Sequence, residues 1–291
     1  MSFSGNIKDE LVKAEGSARH CRIAELAALL VYSRSLKNSR IELQTDSPLV
    51  VQKSRTLIEQ LFNINIDEIN ADSCVYGRDA SQKIFQTIKH TENALTVNPI
   101  VIKSLCCKRC FLRGAFLSIG SMSNPEKGYH LEFVCDDKKQ AEQIIETLSV
   151  FDISGKLVLR KRYYVVYIKE SEEIVELLNV IGAHMSLMNL ENLRILKDMR
   201  NSINRRVNCE AANITKTVNA ASKQIKDIQY IKERYGFDRL SDNLKEVAQA
   251  RLEYPDATLK ELGELLTPAV GKSGVNHRLR KLSELAEKLR S

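Results

Sequence analysis

The longest stretch of this sequence without glycine or proline runs from residue 183 to residue 235. These two residue types most often interrupt or end helices, so the stretch predicts one long helix. Apolar or small side chains recur along it at alternating intervals of four and three residues: Val207, Ala211, Ile214, Val218, Ala221, Ile225 and Ile228. This heptad spacing predicts that one face packs against a partner. We therefore expect a connecting basic helix at 196–240 that joins two domains.

The distribution of charge agrees with two domains of different character. A chain of 291 residues is long enough for more than one domain, since domains usually hold ~100 to 200 residues. The formal net charge is +7, and nearly all of the excess positive charge lies after residue 195. Residues 1–195 are almost neutral. The last third is therefore predicted to attract a polyanion.

Signals for export and for metal binding are weak. The first residues carry acidic groups and lack the apolar core of a signal peptide, and no stretch reaches the ~18 to 20 apolar residues of a membrane span. Seven cysteines in a chain too large to need disulfides are typical of the cytoplasm. Cys107 and Cys110 form one CxxC pair, but structural zinc takes four ligands and no second pair exists. We therefore expect neither a metal nor a cofactor.

The N-terminal region is predicted to be an α+β double, with halves at about 1–95 and 104–195. Each half is expected to hold an apolar helix, a strand and a second helix. The helices lie at 21–32, 47–62, 111–119, 136–151 and 171–182, and the strands at 40–45, 129–135, 156–160 and 163–168. The two apolar helices carry Ala27, Ala28, Gly114 and Ala115, which are small enough to allow close approach.

Residues 241–291 have the pattern of three short helices. Ser241 can cap the first helix, and Pro255 stops it. Thr258, with a glutamate three residues later, forms a capping box for the second helix. Ser273 can cap the third, whose inner stripe is Val275, Leu279, Leu282, Ala286 and Leu289. This order predicts an all-α helix-turn-helix domain whose third helix reads DNA.

The outer face of the third helix carries polar and basic side chains, which can donate to base edges and phosphate oxygens. The DNA-binding residues predicted there are Lys272, Ser273, Asn276, His277, Arg278, Arg280 and Lys281. Thr258 and Lys260 of the second helix, and Arg205 and Arg206 of the long helix, complete the predicted set. An ordinary amphipathic helix with a solvated basic face is the alternative.

Residues 112–120, with the sequence LRGAFLSIG, resemble the LAGLIDADG signature of homing endonucleases. In that family two signature helices pack on a pseudo-twofold axis, and each presents an acidic residue at its C-terminal end to bind divalent metal. That position is Ile119 here, and Ser33 in a weaker first copy at 26–34. Neither side chain supplies the negative charge that holds Mg²⁺ against water. The resemblance therefore implies a degenerate LAGLIDADG-like domain without catalytic residues.

Several segments carry a resemblance that covers essentially the whole chain. They are CCKR at 106–109, FLRGAFL at 111–117, NCE at 208–210, ANI at 212–214, KTVNAA at 216–221, LKELG at 259–263 and KSGVNHRLRK at 272–281. Together they resemble the WhiA family of sporulation and cell-division regulators, in which an inactive LAGLIDADG-like domain precedes a helix-turn-helix. The resemblance implies a role in cell division and chromosome segregation, with transcription regulation in sporulating actinobacteria. Cys110 departs from the small residue expected there.

We therefore predict a cytoplasmic, nucleoid-associated protein that binds double-stranded DNA in cell division, as a transcription regulator or a nucleoid organiser. An active LAGLIDADG-type endonuclease is disfavoured by Ser33 and Ile119. A scaffold, in which residues 1–195 bind another regulatory or division protein and DNA contact is secondary, is compatible with their neutral charge.

Overall fold

The structure, a computed structural model, describes residues 2–14, 16, 18–37, 40–44, 47–63, 68–70, 73–91 and 94–290. It contains two compact units, one up to Lys197 and one from Asp198 onward. The helix α8, His184–Arg234, contributes residues to both. No helix among the described residues has both the length and the apolar character needed to cross a bilayer.

The first unit is built from two halves with the same order of elements, preceded by α1 (Phe3–Lys13). The first half contains α2 (Arg19–Tyr32), β1 (Leu36–Lys37), β2 (Arg40–Gln44), α3 (Pro48–Phe62), β3 (Glu68–Asn70), β4 (Ser73–Val75) and α4 (Arg78–Thr87). The second contains α5 (Leu105–Ile119), β5 (Gly120–Met122), β6 (Leu131–Cys135), α6 (Lys138–Ser149), β7 (Lys156–Arg160), β8 (Tyr163–Ile168) and α7 (Ser171–Ile181). Their antiparallel sheets have equivalent strand orders, β1-β2-β4-β3 and β5-β6-β8-β7. The predicted α+β double is confirmed.

The sheet of the second half follows directly from the pattern of its strands. Alternate residues of β6, beginning with Leu131 and Phe133, are buried, while those between them are partly exposed. Phe133 is paired with Val166 of β8 and meets the ring of Phe116 from α5 edge to face, with ring centroids 6.0 Å apart. An alternating strand has one apolar face, and here that face packs on α5.

The signature helices α2 and α5 lie unusually close together where their residues are small. A Cβ atom added at Gly114 would lie 2.6 Å from the Glu25 carbonyl oxygen and 2.9 Å from the Ala28 Cβ. These distances are shorter than van der Waals contact, so only glycine fits without a shift of the helices. The predicted close approach of the two apolar helices is confirmed.

A buried cluster of charged side chains lies in the same core, and no sequence pattern predicted it. The Glu25 side chain on α2 is fully buried, with Arg113 Nη2 of α5 3.1 Å and Lys53 Nζ of α3 3.7 Å from its carboxylate oxygens. Burial raises the pKa of Glu25, and the two neighbouring cations partly oppose that rise. The three side chains therefore link α2, α3 and α5 through charges that are buried away from solvent.

Several predicted element limits differ from the structure. The helices α1 and α4 were not predicted, α6 ends at Ser149 rather than near Phe151, and β6 begins at Leu131 rather than Tyr129. The predicted end of β2 at Thr45 lies outside the described residues. Such ends depend on tertiary contacts, which a local pattern does not contain.

The seam along α8 is covered only at its C-terminal end. Val207, Ile214 and Val218 are more than half exposed, whereas Ile228 and Ile231 are fully buried. Within the described chain the seam is therefore covered only toward Ile228, and a partner for the rest of the face stays a prediction. Heptad spacing marks an apolar face but does not determine what covers it.

The second unit packs the end of α8 against three further helices. These are α9 (Asp242–Glu253), α10 (Leu259–Glu264) and α11 (Lys272–Arg290), and a short 3-10 turn at Phe237–Arg239 precedes them. The core is formed by Ile228 and Ile231 with residues from all three helices, among them Val247, Leu262 and Leu279. The α-helical C-terminal domain of the predicted fold is thereby confirmed, and its core begins inside α8.

Candidate nucleic-acid interface

The start of α10 is fixed by the capping box that the sequence predicted. The Glu261 backbone N–H donates to Thr258 Oγ1 at 3.3 Å, and the Thr258 backbone N–H donates to Glu261 Oε2 at 2.7 Å. The bond from the Thr258 backbone N–H, followed by a hydrogen bond from the Thr258 side chain, lowers the pKa of Glu261, because both favour the charged carboxylate. Just before α10, the buried Arg251 donates through Nη1 to the carbonyl oxygens of Pro255 at 3.2 Å and Ala257 at 2.7 Å. The turn from α9 into α10 is thus held at both ends.

The turn between α10 and α11 is closed by a glycine. The Val270 backbone N–H donates to the Gly263 carbonyl at 2.9 Å, and a Cβ atom at Gly263 would overlap the Val270 carbonyl oxygen. The Thr267 backbone N–H donates to Glu246 Oε1 of α9 at 2.6 Å. Together these contacts set the position at which α11 begins.

The helix α11 has one buried face and one exposed face. Val275, Leu279, Leu282 and Ala286 are buried and Leu289 is partly buried, as the predicted inner stripe requires. The exposed members of the predicted DNA-binding set on this helix are Lys272, Ser273, Asn276, His277, Arg280 and Lys281. Ser273, His277, Arg280 and Lys281 follow the spacing that places side chains on one side of a helix.

Two details of α11 differ from the sequence prediction. The helix begins at Lys272, so Ser273 lies inside the first turn and cannot be its N-cap, because Gly271 precedes the first helical residue. Arg278 is largely buried, with Nη1 3.8 Å from Glu246 Oε2 and donating weakly to the Asn243 carbonyl at 3.5 Å. Arg278 therefore holds α11 against α9 rather than standing free among the outer side chains.

The remaining predicted residues are exposed and lie on other helices. Lys260 Nζ is 3.9 Å from Glu264 Oε1, and Thr258 uses its hydroxyl in the capping box. Arg205 and Arg206 lie on the exposed part of α8, where Arg206 Nε is 3.4 Å from Glu210 Oε1. On α11, Arg280 Nε forms a similar pair, donating to Glu284 Oε1 at 3.0 Å. Exposed pairs of this kind contribute little to stability, so these cations can exchange partners at small cost.

The C-terminal ends of α2 and α5 lack acidic side chains at the two aligned positions. Ser33 Oγ is 2.6 Å from Ser35 Oγ, and Ile119 is partly buried against the core of the first unit. Asp136 accepts hydrogen bonds from both Nε and Nη2 of Arg34, so its charge is already paired. A divalent cation there would find a hydroxyl, the hydrocarbon side chain of Ile119 and a neutralised carboxylate, which are poor ligands for Mg²⁺.

At the opposite ends of these helices the fold gathers four side chains that sequence spacing did not connect. The ligand atoms of His20, Cys21, Cys106 and Cys107 all lie within 4.8 Å of one another. The expectation of no metal site considered only the pair Cys107 with Cys110, whereas this cluster joins Cys107 to Cys106 and to two residues of α2. Pairs of ligands that are far apart in sequence become neighbours only through the packing of α2 on α5.

Comparison with known proteins identifies both units. A family model described as the WhiA LAGLIDADG-like domain matches residues 108–200, and one described as the WhiA C-terminal HTH domain matches residues 203–286. A protein of Lachnoclostridium phytofermentans named "Probable cell division protein WhiA" is 50% identical over all of both chains. This chain belongs to the WhiA family. The suspected family resemblance is therefore confirmed.

Other WhiA relatives agree over the full length. A protein of the same name from Alkaliphilus metalliredigens is 42% identical over 100% of this chain and 99% of its own. The crystal structure of full-length DUF199/WhiA from Thermatoga maritima is 26% identical, covers 99% of each chain and superposes with a TM-score of 0.59. The WhiA fold, a LAGLIDADG-like domain followed by a helix-turn-helix domain, is thus the fold of this chain.

Proposed function

We propose that this protein binds duplex DNA through the exposed face of α11. The observation that carries the proposal is the division of this helix: its apolar residues are buried, and Lys272, Arg280 and Lys281 point away from the core with polar donors between them. Packing within the unit does not explain these side chains. A basic helix that a helix-turn-helix presents outward is suited to the major groove.

The predicted residues then divide by role. Asn276 and His277 offer hydrogen bonds to base edges, and Arg280 and Lys281 reach base edges or phosphates. Lys260 and Thr258, at the start of α10, and Arg205 and Arg206, on α8, supply phosphate contacts that fix the position of the unit on the duplex. Arg278 supports α11 through its contacts with α9. The domain limits 1–195, 196–240 and 241–291 are part of this proposal.

The role we propose is DNA binding in the service of cell division. The DNA binding rests on α11, and cell division is what the printed names give for the relatives. We extend this role to chromosome segregation and transcription regulation and, in spore-forming bacteria, to sporulation. We expect the protein to be located in the cytoplasm, at the nucleoid. Mapping bound sites across the chromosome tests the extension. Few sites close to promoters support regulation, whereas many dispersed sites would instead indicate a nucleoid organiser.

We further propose that the LAGLIDADG-like domain does not cut DNA, because Ser33 and Ile119 stand where nucleases of this fold carry acids. An alternative use of the first unit is a protein contact, which its almost neutral charge favours over a nucleic-acid contact. Pull-down of a division protein by residues of this unit, unaffected by loss of DNA binding, would support that second role.

The DNA proposal is tested with two matched double variants of the full chain. Arg280→Ala/Lys281→Ala removes two adjacent cations from α11, one of which pairs with a glutamate four residues later. Lys138→Ala/Lys139→Ala removes two adjacent exposed cations from α6, one of which makes an equivalent pair, Lys138 with Glu142 at 2.9 Å. Affinity for chromosomal DNA fragments should fall only in the α11 variant, since each base contact is worth ~1 to 3 kcal/mol. Equal losses in both variants would mean that binding follows overall charge and not this face.

A further inference from the structure

The first turns of α2 and α5 bring together three thiols and an imidazole. His20 and Cys21 come from the start of α2, and Cys106 and Cys107 from the start of α5. His20 Nδ1 lies 3.1 Å from Cys107 Sγ and 3.5 Å from Cys21 Sγ, although His20 and Cys107 are 87 positions apart in sequence. The four ligand atoms therefore converge on one point from two different helices.

These four groups are a ligand set that structural zinc takes, three thiolates and one imidazole. In a tetrahedral site with Zn–S bonds of ~2.3 Å, neighbouring sulfurs lie ~3.8 Å apart. The ligand atoms here lie within 4.8 Å of one another, so closing on an ion requires movements of up to ~1 Å, which side-chain rotation supplies. We propose that His20, Cys21, Cys106 and Cys107 bind one zinc ion that joins the first turns of α2 and α5.

Burial and exposure in this cluster fit a metal better than they fit packing alone. Cys21 and Cys107 are buried, whereas His20 and Cys106 are exposed, so an ion can enter from solvent and be held on the inner side. A buried cysteine often serves simply as a small apolar side chain. That role does not place an exposed histidine and an exposed cysteine against the two buried thiols.

Zinc binding changes the protonation and the charge of this cluster. When zinc binds, each of the three thiols loses its proton to solvent and the imidazole binds in its neutral form. The resulting centre carries one net negative charge, and the basic residues Arg19, Arg22 and Lys108 directly adjoin its ligands in sequence.

Four protein ligands fill a tetrahedral site, so the ion has no open position and acts as a structural link. It fastens together the two helices whose close contact at Gly114 forms the centre of the first unit. The inference is independent of DNA binding, because all four ligands lie outside the second unit.

Cys110 supplies a matched control. It lies one turn further along α5 and is buried, and its sulfur accepts from Arg113 Nη2 at 3.1 Å. It also contacts the Cys21 thiol, but it is not one of the four residues whose ligand atoms all lie within 4.8 Å of one another. The CxxC spacing in the sequence pairs Cys107 with Cys110, whereas in the structure it is Cys106 that belongs to the four-residue group with Cys107. Cys106→Ser and Cys110→Ala therefore separate the two assignments. Because Cys106 is exposed, Cys106→Ser leaves the packing of the core unchanged.

The experiment is elemental analysis of the full chain purified under reducing conditions without added metal, followed by titration of the zinc-free protein with Co²⁺. We expect about one zinc per chain, sulfur-to-cobalt charge-transfer and tetrahedral d–d bands, and a lower melting temperature on chelation. Cys106→Ser and His20→Ala should weaken zinc binding by more than the ~10- to 100-fold that loss of an outer contact costs, while Cys110→Ala keeps it. Circular dichroism confirms that each variant is folded.

Two results would overturn the proposal. One is a parent protein that holds no zinc and gives no cobalt bands while its thiols remain reduced. The other is a zinc content that survives in folded Cys106→Ser and His20→Ala but is lost in Cys110→Ala, which would return the site to the CxxC pair.

Discussion

The helices α5 and α11, one at the centre of each unit, use their surfaces in opposite ways. Every residue of α5 from Cys110 to Leu117 is buried, whereas α11 buries only Val275, Leu279, Leu282 and Ala286 along its length. Packing explains the residues of α5 from Cys110 to Leu117. It leaves the outer residues of α11 unexplained, and a binding function is therefore best sought there.

The buried core of the first unit and the outer face of α11 also differ in how they use charge. The first unit encloses Glu25 with Arg113 and Lys53, where removal from water makes each charge depend on its partners. On the outer face of α11, Arg280 forms an exposed pair with Glu284. Losing one partner should therefore be costly in the Glu25 cluster and nearly free in the pair of Arg280 with Glu284.

The largest expected effect is that of Arg113→Ala on the first unit. Removal of this guanidinium leaves Glu25 buried with Lys53 as its remaining cation, and breaking a buried pair typically costs ~3 to 5 kcal/mol. The control is Arg160→Ala, which removes an exposed partner of Glu132 at 3.0 Å and should cost ~0 to 1 kcal/mol. Denaturant unfolding of the full chain measures both. Equal costs would mean that the buried Glu25 cluster depends on its partners no more than an exposed pair does.

Leu279→Ala should have the next largest effect, and on the second unit only. Its side chain is buried between α11 and the rest of the core, so truncation should destabilise this unit by ~2 to 5 kcal/mol. Two thermal transitions, or hydrogen exchange resolved by region, should show the second unit loosened and the first unchanged. A single shared transition that moves as a whole would contradict the division into two units.

The smallest expected effect is that of Mg²⁺ or Mn²⁺ on DNA mixed with the protein. Without acids at Ser33 and Ile119, we expect duplex DNA to remain intact in the presence of either ion. The measurement is gel analysis of supercoiled and linear DNA. Cleavage that requires the metal and disappears in variants near Ser33 and Ile119 would show that the first unit is an enzyme after all.

Much of the fold could be predicted because its signals are local. Three sequence patterns reflect local preferences that are retained in the folded protein. They are the alternation of β6, the small residues Gly114 and Ala28, and the capping box at Thr258. The limits of helices could not be predicted as well. Ser273 offers a capping hydroxyl, yet the chain enters α11 at Lys272, because the turn is set by the bond between Val270 and Gly263.

The candidate sites could be predicted only where a single element carries them. The outer face of α11 follows from helical periodicity, so its exposed residues were found, whereas the burial of Arg278 depends on Glu246 from another helix. The cluster around His20 and Cys106 was missed for the same reason, since it joins the starts of two helices. The signal that could have found it is the position of both ligand pairs at equivalent points of the internal repeat.

The salt dependence of DNA binding tests the central claim, that α11 binds DNA through its exposed cations, most directly. The slope of log affinity against log salt counts the phosphates neutralised, and each lost phosphate contact should make it shallower by about one. We predict that Arg280→Ala/Lys281→Ala melts like the parent, binds more weakly and has a shallower slope, and that Lys138→Ala/Lys139→Ala keeps the parent slope. A folded α11 variant with the affinity and slope of the parent would contradict the account and place the DNA surface elsewhere, with Arg205 and Arg206 as the next candidates.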